Sequence, residues 1–253
     1  METVINDLII EVTRRCNIRC DHCMRGDPVS LDMNLDYVSR LFDKINRIYT
    51  LTLTGGEPSL VPHIISGIFD LASQKNVSIS HFYMVTNAKD ISNDFINALL
   101  DAYMYCEGEE EELFCLDISL DIQHQDAIGY IPEENIKKLM ALRFTHKRNE
   151  NHDYSSSLGT IWEGRAAQFY SYTGRLPQIS KVYYEEEYGE LMIESLYLNC
   201  LGNILPDCDL SYKSQDNPEI IICNVKRKFS LLNSIKRYNK RIKDGKIENI
   251  KVA

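Results

Sequence analysis

Cys16, Cys20 and Cys23 form a C-x-x-x-C-x-x-C cluster in the segment Cys-Asn-Ile-Arg-Cys-Asp-His-Cys. A structural zinc site takes four ligands and a disulfide joins cysteines in pairs, so an odd number of closely spaced thiols points elsewhere. A [4Fe–4S] cluster is usually held by four thiolates. Three would hold such a cluster and leave one iron open to a ligand that is not protein. The spacing therefore suggests a reaction centre. The best rival is a zinc knuckle with His22 as the fourth ligand, because Cys-x-His-Cys packs its ligands tightly.

The rest of the chain indicates what must hold these residues. A strand-like run at 8–12 leads straight into the cysteines. Residues 36–48 then repeat apolar side chains at helical spacing (Val38, Leu41, Phe42, Ile45, Ile48), with Asn34 or Asp36 as the cap. Residues 51–54 read as a short strand ending in Gly55-Gly56. A helix at about 61–74, a strand at 82–86 and a helix at 92–102 capped by Ser92 follow. Residues 114–120 are again strand and 132–142 helix, with Pro132 near its first turn. A short fifth strand fits near 143–146. Strands alternating with helices imply βαβ units and a parallel sheet, and four such units by residue 142 suffice for an open barrel. Chemistry in such folds sits at the carboxyl ends of the strands. The informative residues fall there: the cysteines after the first strand, Gly55-Gly56-Glu57-Pro58 after the second, Asn87 after the third, Ser119 and Asp121 at the fourth. Their convergence on one face is the central expectation.

With those positions in hand, the chain resembles the radical S-adenosylmethionine (SAM) superfamily. The resemblance rests on the cysteine motif, Gly55-Gly56-Glu57-Pro58 and Ser119-x-Asp121, in the expected order over roughly residues 8–166. It implies a partial (β/α)6 TIM-like barrel, here at 1–190, and a small extension at 191–253. That extension holds a hairpin around Gly202-Asn203, a loop with Cys200, Cys208 and Cys223, and a basic amphipathic helix. Cys16, Cys20 and Cys23 would ligate a [4Fe–4S] cluster, as both catalytic and metal-binding residues. His22 fills the place of the aromatic residue that lies near the adenine. Gly55, Gly56, Glu57 and Pro58 resemble the segment that receives the methionine ammonium, and glycines permit a close approach there. Asn87 would supply a polar SAM contact, Ser119 and Asp121 would bind the ribose, and Arg165 would lie near the methionine carboxylate. The bound SAM would yield a 5′-deoxyadenosyl radical that takes a hydrogen atom from substrate. The hydrophobic adenine motif of the fifth strand is not recognisable.

The extension is similar to a shortened, degenerate auxiliary-cluster (SPASM or twitch) module. Its three cysteines lack a clear fourth, so ordinary buried thiols are expected in place of a second cluster. The resemblance further implies an oxygen-sensitive enzyme and an external electron donor of the flavodoxin or ferredoxin type. A ribosomally made peptide is the expected substrate. The alternatives are a sugar or nucleotide substrate, or a non-catalytic zinc- or cluster-binding module.

Composition narrows the setting. The chain has 253 residues, enough for one sizeable core. No apolar run approaches the roughly 20 residues that span a bilayer, and the first residues carry no basic n-region. A cytoplasmic address with no membrane partner is expected, and in that reducing compartment eight cysteines read as ligands or core thiols. The net charge of −9 divides into +8 for residues 226–253 and −17 for the rest. Phe229, Leu232, Ile235 and Ile242 recur at near-helical spacing in that basic stretch, as in a solvated amphipathic helix; nucleic acid is not expected as a partner. The acidic run 107–112 reads as a solvated loop.

Overall fold

The computed structural model describes residues 2–106, 115–153, 161–169, 176–177, 179–245 and 247. The acidic loop expected at 107–112 lies outside them. Five strands, β1 (Glu2–Thr13), β2 (Arg47–Gly55), β3 (Ser78–Thr86), β4 (Leu116–Ser119) and β5 (Thr145–Arg148), pair in parallel and in chain order. Between them run α1 (Leu35–Phe42), α2 (Pro62–Gln74), α3 (Asn93–Tyr105), then α4 (Ile122–Ile128) and α5 (Glu133–Met140). The caps follow the sequence: the Asn34 side chain accepts from the amide of Asp36 at 2.9 Å, and the Ser92 hydroxyl from that of Phe95 at 3.1 Å. The second half adds α6 (Ala166–Phe169), β6 (Tyr184–Glu187), β7 (Glu190–Leu198), β8 (Asn203–Leu205), β9 (Cys223–Asn224) and α7 (Leu231–Lys243).

β7 does not continue past β5. It lies parallel to β1 on the side away from β2, and the sheet runs β5-β4-β3-β2-β1-β7-β8-β9, with β6 antiparallel to β7. The result is a mixed α/β fold with six parallel strands, a partial barrel that hydrogen bonds do not close. The division expected at 190–191 falls at the first residue of β7, inside this one sheet. β7 and β8 form the expected hairpin, although its turn spans 199–202 and does not centre on Gly202-Asn203.

β1 is central, and both of its faces are covered. Leu8, Ile10 and Val12 join the main core with Val38, Leu41, Ile65, Ile68 and Phe95 from the helices. Ile9, on the other face, packs with Tyr197, Leu205, Leu210 and Ile220 of the extension. The last helix, α7, buries Leu231, Ile235 and Tyr238 and turns Lys236, Arg237, Lys240 and Lys243 outward. Each such burial contributes about 1.5–3 kcal/mol, which anchors a helix whose charges alone would leave it in solvent.

Candidate active site

The loop that leaves β1 is pinched at its neck. The amide of Arg14 donates to Leu31 O at 2.8 Å, that of Val29 to Arg14 O at 3.0 Å, and that of Met33 to Val12 O at 3.0 Å. Within the loop the Cys23 amide donates to Cys20 O at 3.2 Å. The tip of β2 lies directly on it: the amides of Gly56 and Glu57 donate to Thr13 O and Arg15 O at 2.7 and 2.8 Å. A Cβ on Gly56 would sit 2.0 Å from Arg15 O, and one on Gly55 2.1 Å from Thr13 O. These glycines therefore let chain pack on chain. That differs from the expectation that they make room for a ligand.

Glu57 is 2% exposed and joins three elements. Oε1 accepts from the Ser59 amide at 3.0 Å and from the Thr86 hydroxyl at 2.7 Å, and Oε2 from the Asn87 amide at 2.9 Å. Burial pushes its pKa up, against these donors, which favour the carboxylate. Among the described residues these three donors all approach Oε1 or Oε2, and Oε2 takes one of them. The Asn87 side chain donates to Asn17 Oδ1 at 2.9 Å and accepts from the Lys89 amide at 2.9 Å, tying the end of β3 to the cysteine loop.

Asp121 caps α4, accepting from the His124 amide at 3.0 Å, and its Oδ2 lies 2.6 Å from His124 Nδ1. Burial raises its carboxyl, yet the hydrogen bond and charge of His124 hold it below the ordinary value on balance. His22 Nε2 lies 3.9 Å from Asp121, and burial, with His124 beside it, pushes His22 down to about 4. Its imidazole is neutral at neutral pH. Burial also pushes the Cys16 thiol up to about 11 and raises that of Cys20 further.

A short strap at 163–165 closes the back of the loop. The Arg165 guanidinium donates to Cys20 O at 2.9 Å and Gly26 O at 2.5 Å, and its amide donates to Cys23 O at 3.0 Å. Gly164, at φ +56°, leaves no room for a Cβ, which would lie 2.4 Å from Met24 O. Glu163 turns the other way: its carboxylate accepts from the Ser211 amide and, at 2.7 Å, from the Ser214 hydroxyl. The strap thus joins the cysteine loop to the extension. Arg25 adds a second tie, donating to Cys208 O and, at 2.9 Å, to Leu210 O. Arg14 adds a third, donating to Gln215 Oε1 at 2.7 Å while paired with buried Glu11 at 2.9 Å.

All the residues singled out from the sequence, Cys16, Cys20, His22, Cys23, Gly55 to Pro58, Asn87, Ser119, Asp121 and Arg165, line one cavity of about 410 Å³. The same wall includes Arg14, His124, Arg148 and Tyr212, which sequence reasoning missed. Among the described residues the Arg148 side chain, at the end of β5, has one hydrogen-bond partner, the Tyr83 hydroxyl at 3.2 Å, whereas Arg165 commits its Nε and Nη1 groups to the loop. Only a position at a strand end could have flagged Arg148. Cys200, Cys208 and Cys223 keep separate neighbours. The first bonds Glu11 through its amide and thiol, the second lies by Asp209, and the third by Ser234 of α7.

The cavity suits a cubane cluster and SAM. Its donor set is three free thiols on a loop whose backbone the protein itself holds in place. No helix among the described residues is long and apolar enough to cross a membrane. Comparison with known proteins identifies the family. The model of the Radical SAM superfamily matches residues 10–143. A GTP 3′,8-cyclase of Staphylococcus epidermidis is 30% identical over 61% of this chain and 43% of its own. One of Xanthomonas campestris pv. campestris is 36% identical over 28% of this chain and 27% of its own. This chain spans less than half of either relative. Among solved structures, anSMEcpe with bound AdoMet and Cp18Cys peptide has a TM-score of 0.53 at 10% identity, covering 95% of this chain and 82% of that one. With more than half its length matched and the three-cysteine loop in place, the protein belongs to the radical SAM superfamily and is an enzyme.

Proposed function

We propose that this enzyme cleaves SAM reductively at a [4Fe–4S] cluster held by Cys16, Cys20 and Cys23, and that it acts on a ribosomally made peptide. The observation that carries the cofactor assignment is the single cavity on which the cysteines and the tips of β2, β3 and β4 meet. When bound, the cluster and SAM supply an electron and a 5′-deoxyadenosyl group able to take a hydrogen atom. The chain's own part is to bind, orient and exclude water. Glu57 offers Oε2 to an ammonium while its hydrogen bonds keep it immobile. A carboxylate suits the guanidinium of Arg148 or the Nη2 group of Arg165, whose Nε and Nη1 hold the loop. Ser119 and Asp121 suit hydroxyl groups of a ribose, and neutral His22 offers an apolar ring face to a base.

We assign one cluster per chain, because the three extension cysteines keep separate neighbours. The hairpin and cysteines of the extension support a peptide. The likeness to GTP 3′,8-cyclases favours a nucleotide as the second candidate. An external electron donor and a cytoplasmic setting complete the proposal.

Anaerobic reconstitution with iron and sulfide, then reduction with SAM, tests it. Release of 5′-deoxyadenosine is expected, with iron and sulfide each near about four per chain. No 5′-deoxyadenosine refutes the enzymatic assignment, and counts near about eight refute the single cluster. Cys20→Ala should abolish iron uptake and Cys106→Ala should not. Stimulation of cleavage by GTP, with none by peptides encoded next to this gene, would replace the peptide with the nucleotide.

A further inference from the structure

One ligand atom from each of Cys20, His22 and His124 lies within 4.8 Å of the other two. They come from two elements, the cysteine loop and the first turn of α4, so the grouping is tertiary. Cys20 is buried, and the side chains of His22 and His124 are 14% and 22% exposed. The two rings meet edge to face with centroids 4.9 Å apart. Asp121 Oδ2, 2.6 Å from His124 Nδ1, fixes that ring's tautomer and orientation, as carboxylates do behind zinc-bound imidazoles. A thiolate with two imidazoles is a donor set for zinc, with bonds of about 2.3 and 2.0–2.1 Å. Closing the group to tetrahedral spacing needs side-chain movements of about 1 Å.

We propose that the cluster-free chain binds one Zn²⁺ through Cys20, His22 and His124, with water in the fourth position. Binding displaces the Cys20 thiol proton to solvent and involves no redox change. Because Cys20 also belongs to the cluster set of the proposed function, on which this second half rests, zinc and cluster exclude one another. The site differs from a zinc knuckle on the cysteine motif: it uses one of the three cysteines and draws a ligand from α4.

The test titrates anaerobic, cluster-free protein with Co²⁺ and then Zn²⁺. One Co²⁺ per chain should give the visible absorption of a tetrahedral thiolate site, and Zn²⁺ should displace it. His124→Ala should weaken zinc binding at least about 100-fold, beyond the roughly 10–100-fold that loss of an outer-shell partner costs. It should still take up iron and sulfide, which also shows that the variant folds. Cys16→Ala should do the reverse, binding zinc within about twofold of wild type while failing to assemble a cluster. Zinc loaded first should block iron uptake until a chelator removes it. If Cys16→Ala weakens zinc binding as much as His124→Ala does, the ion sits on the three cysteines and the proposal falls. It falls equally if His124→Ala changes nothing. Wild-type protein that shows the zinc pattern but takes up no iron would leave the zinc site standing and overturn the proposed function.

Discussion

Gly56→Ala separates two roles that a glycine at a strand tip can have. Gly56 is not in the left-handed region, so alanine brings no backbone penalty of its own. Its Cβ, however, would lie 2.0 Å from Arg15 O and 2.6 Å from Arg15 C, both main-chain atoms of the cysteine loop. Relief requires the two segments to separate by more than 1 Å. Overpacking of this kind costs about 1–3 kcal/mol. The same movement stretches the bonds from Gly56 to Thr13 O and from Glu57 to Arg15 O, each contributing about 0.5–1.5 kcal/mol. The expected loss is therefore about 2–6 kcal/mol, and it falls on the metal-free protein, since no ligand enters the count. Anaerobic urea unfolding of cluster-free protein measures it as a lower midpoint at unchanged slope. Gly129→Ala is the control: at φ +81° with nothing within 4 Å, it should lose only about 1–2 kcal/mol. If Gly56→Ala is no worse than this control, the steric reasoning is refuted. If it unfolds like wild type but fails to bind SAM, the glycine serves ligand approach instead.

Two further outcomes follow from the buried carboxylates. Glu163→Gln should destabilise the chain by about 1–3 kcal/mol and speed hydrogen exchange at Ser211 and its neighbours, because the amide cannot serve both donors as the carboxylate does. Exchange confined to the cysteine loop and absent from the extension would contradict the strap. Asp121 has a lowered folded pKa, so the stability it contributes is complete above the ordinary value of 3.8 and is lost as pH falls through the folded value. Asp121→Asn should therefore lose less stability than wild type in that acid range. Parallel unfolding curves for the two proteins would show that His124 does not hold this charge.

Much of the site was legible because its residues belong to local patterns. The cysteine spacing, the Gly-Gly-Glu-Pro turn and the alternation of strand and helix each lie within a few residues, and the parallel order of β1 to β5 follows from them. What the residues touch was not legible. Arg165 reads the same whether it binds a ligand or, as found, the carbonyls of Cys20 and Gly26. Glu163, two residues earlier, belongs to no pattern, and its partners lie in the extension. β7 reads as one arm of a hairpin; that its other edge pairs with β1 depends on a contact across most of the chain. His124 carries no sequence signal, because α4 is a helix of seven residues with too few apolar positions to reveal its period.

The pairing of β1 with β7 also sets an order of events. β1 is made before both of its neighbours: β2 can join it once residue 55 exists, but its other edge waits for residues 190–198. Until then the strand that carries the cysteine loop presents an unpaired edge, a template for association with other chains. Glu11 and Arg14 are likewise without Tyr197, Cys200 and Gln215, so their charges stay hydrated and the loop's back wall is missing. Distant pairing of this kind slows folding. A cluster inserted at that stage would enter a loop held on one side only. The chain is therefore built so that its reaction centre is enclosed among the last parts to assemble, and a fragment lacking β7 would retain every cysteine of the motif while losing the frame that holds them.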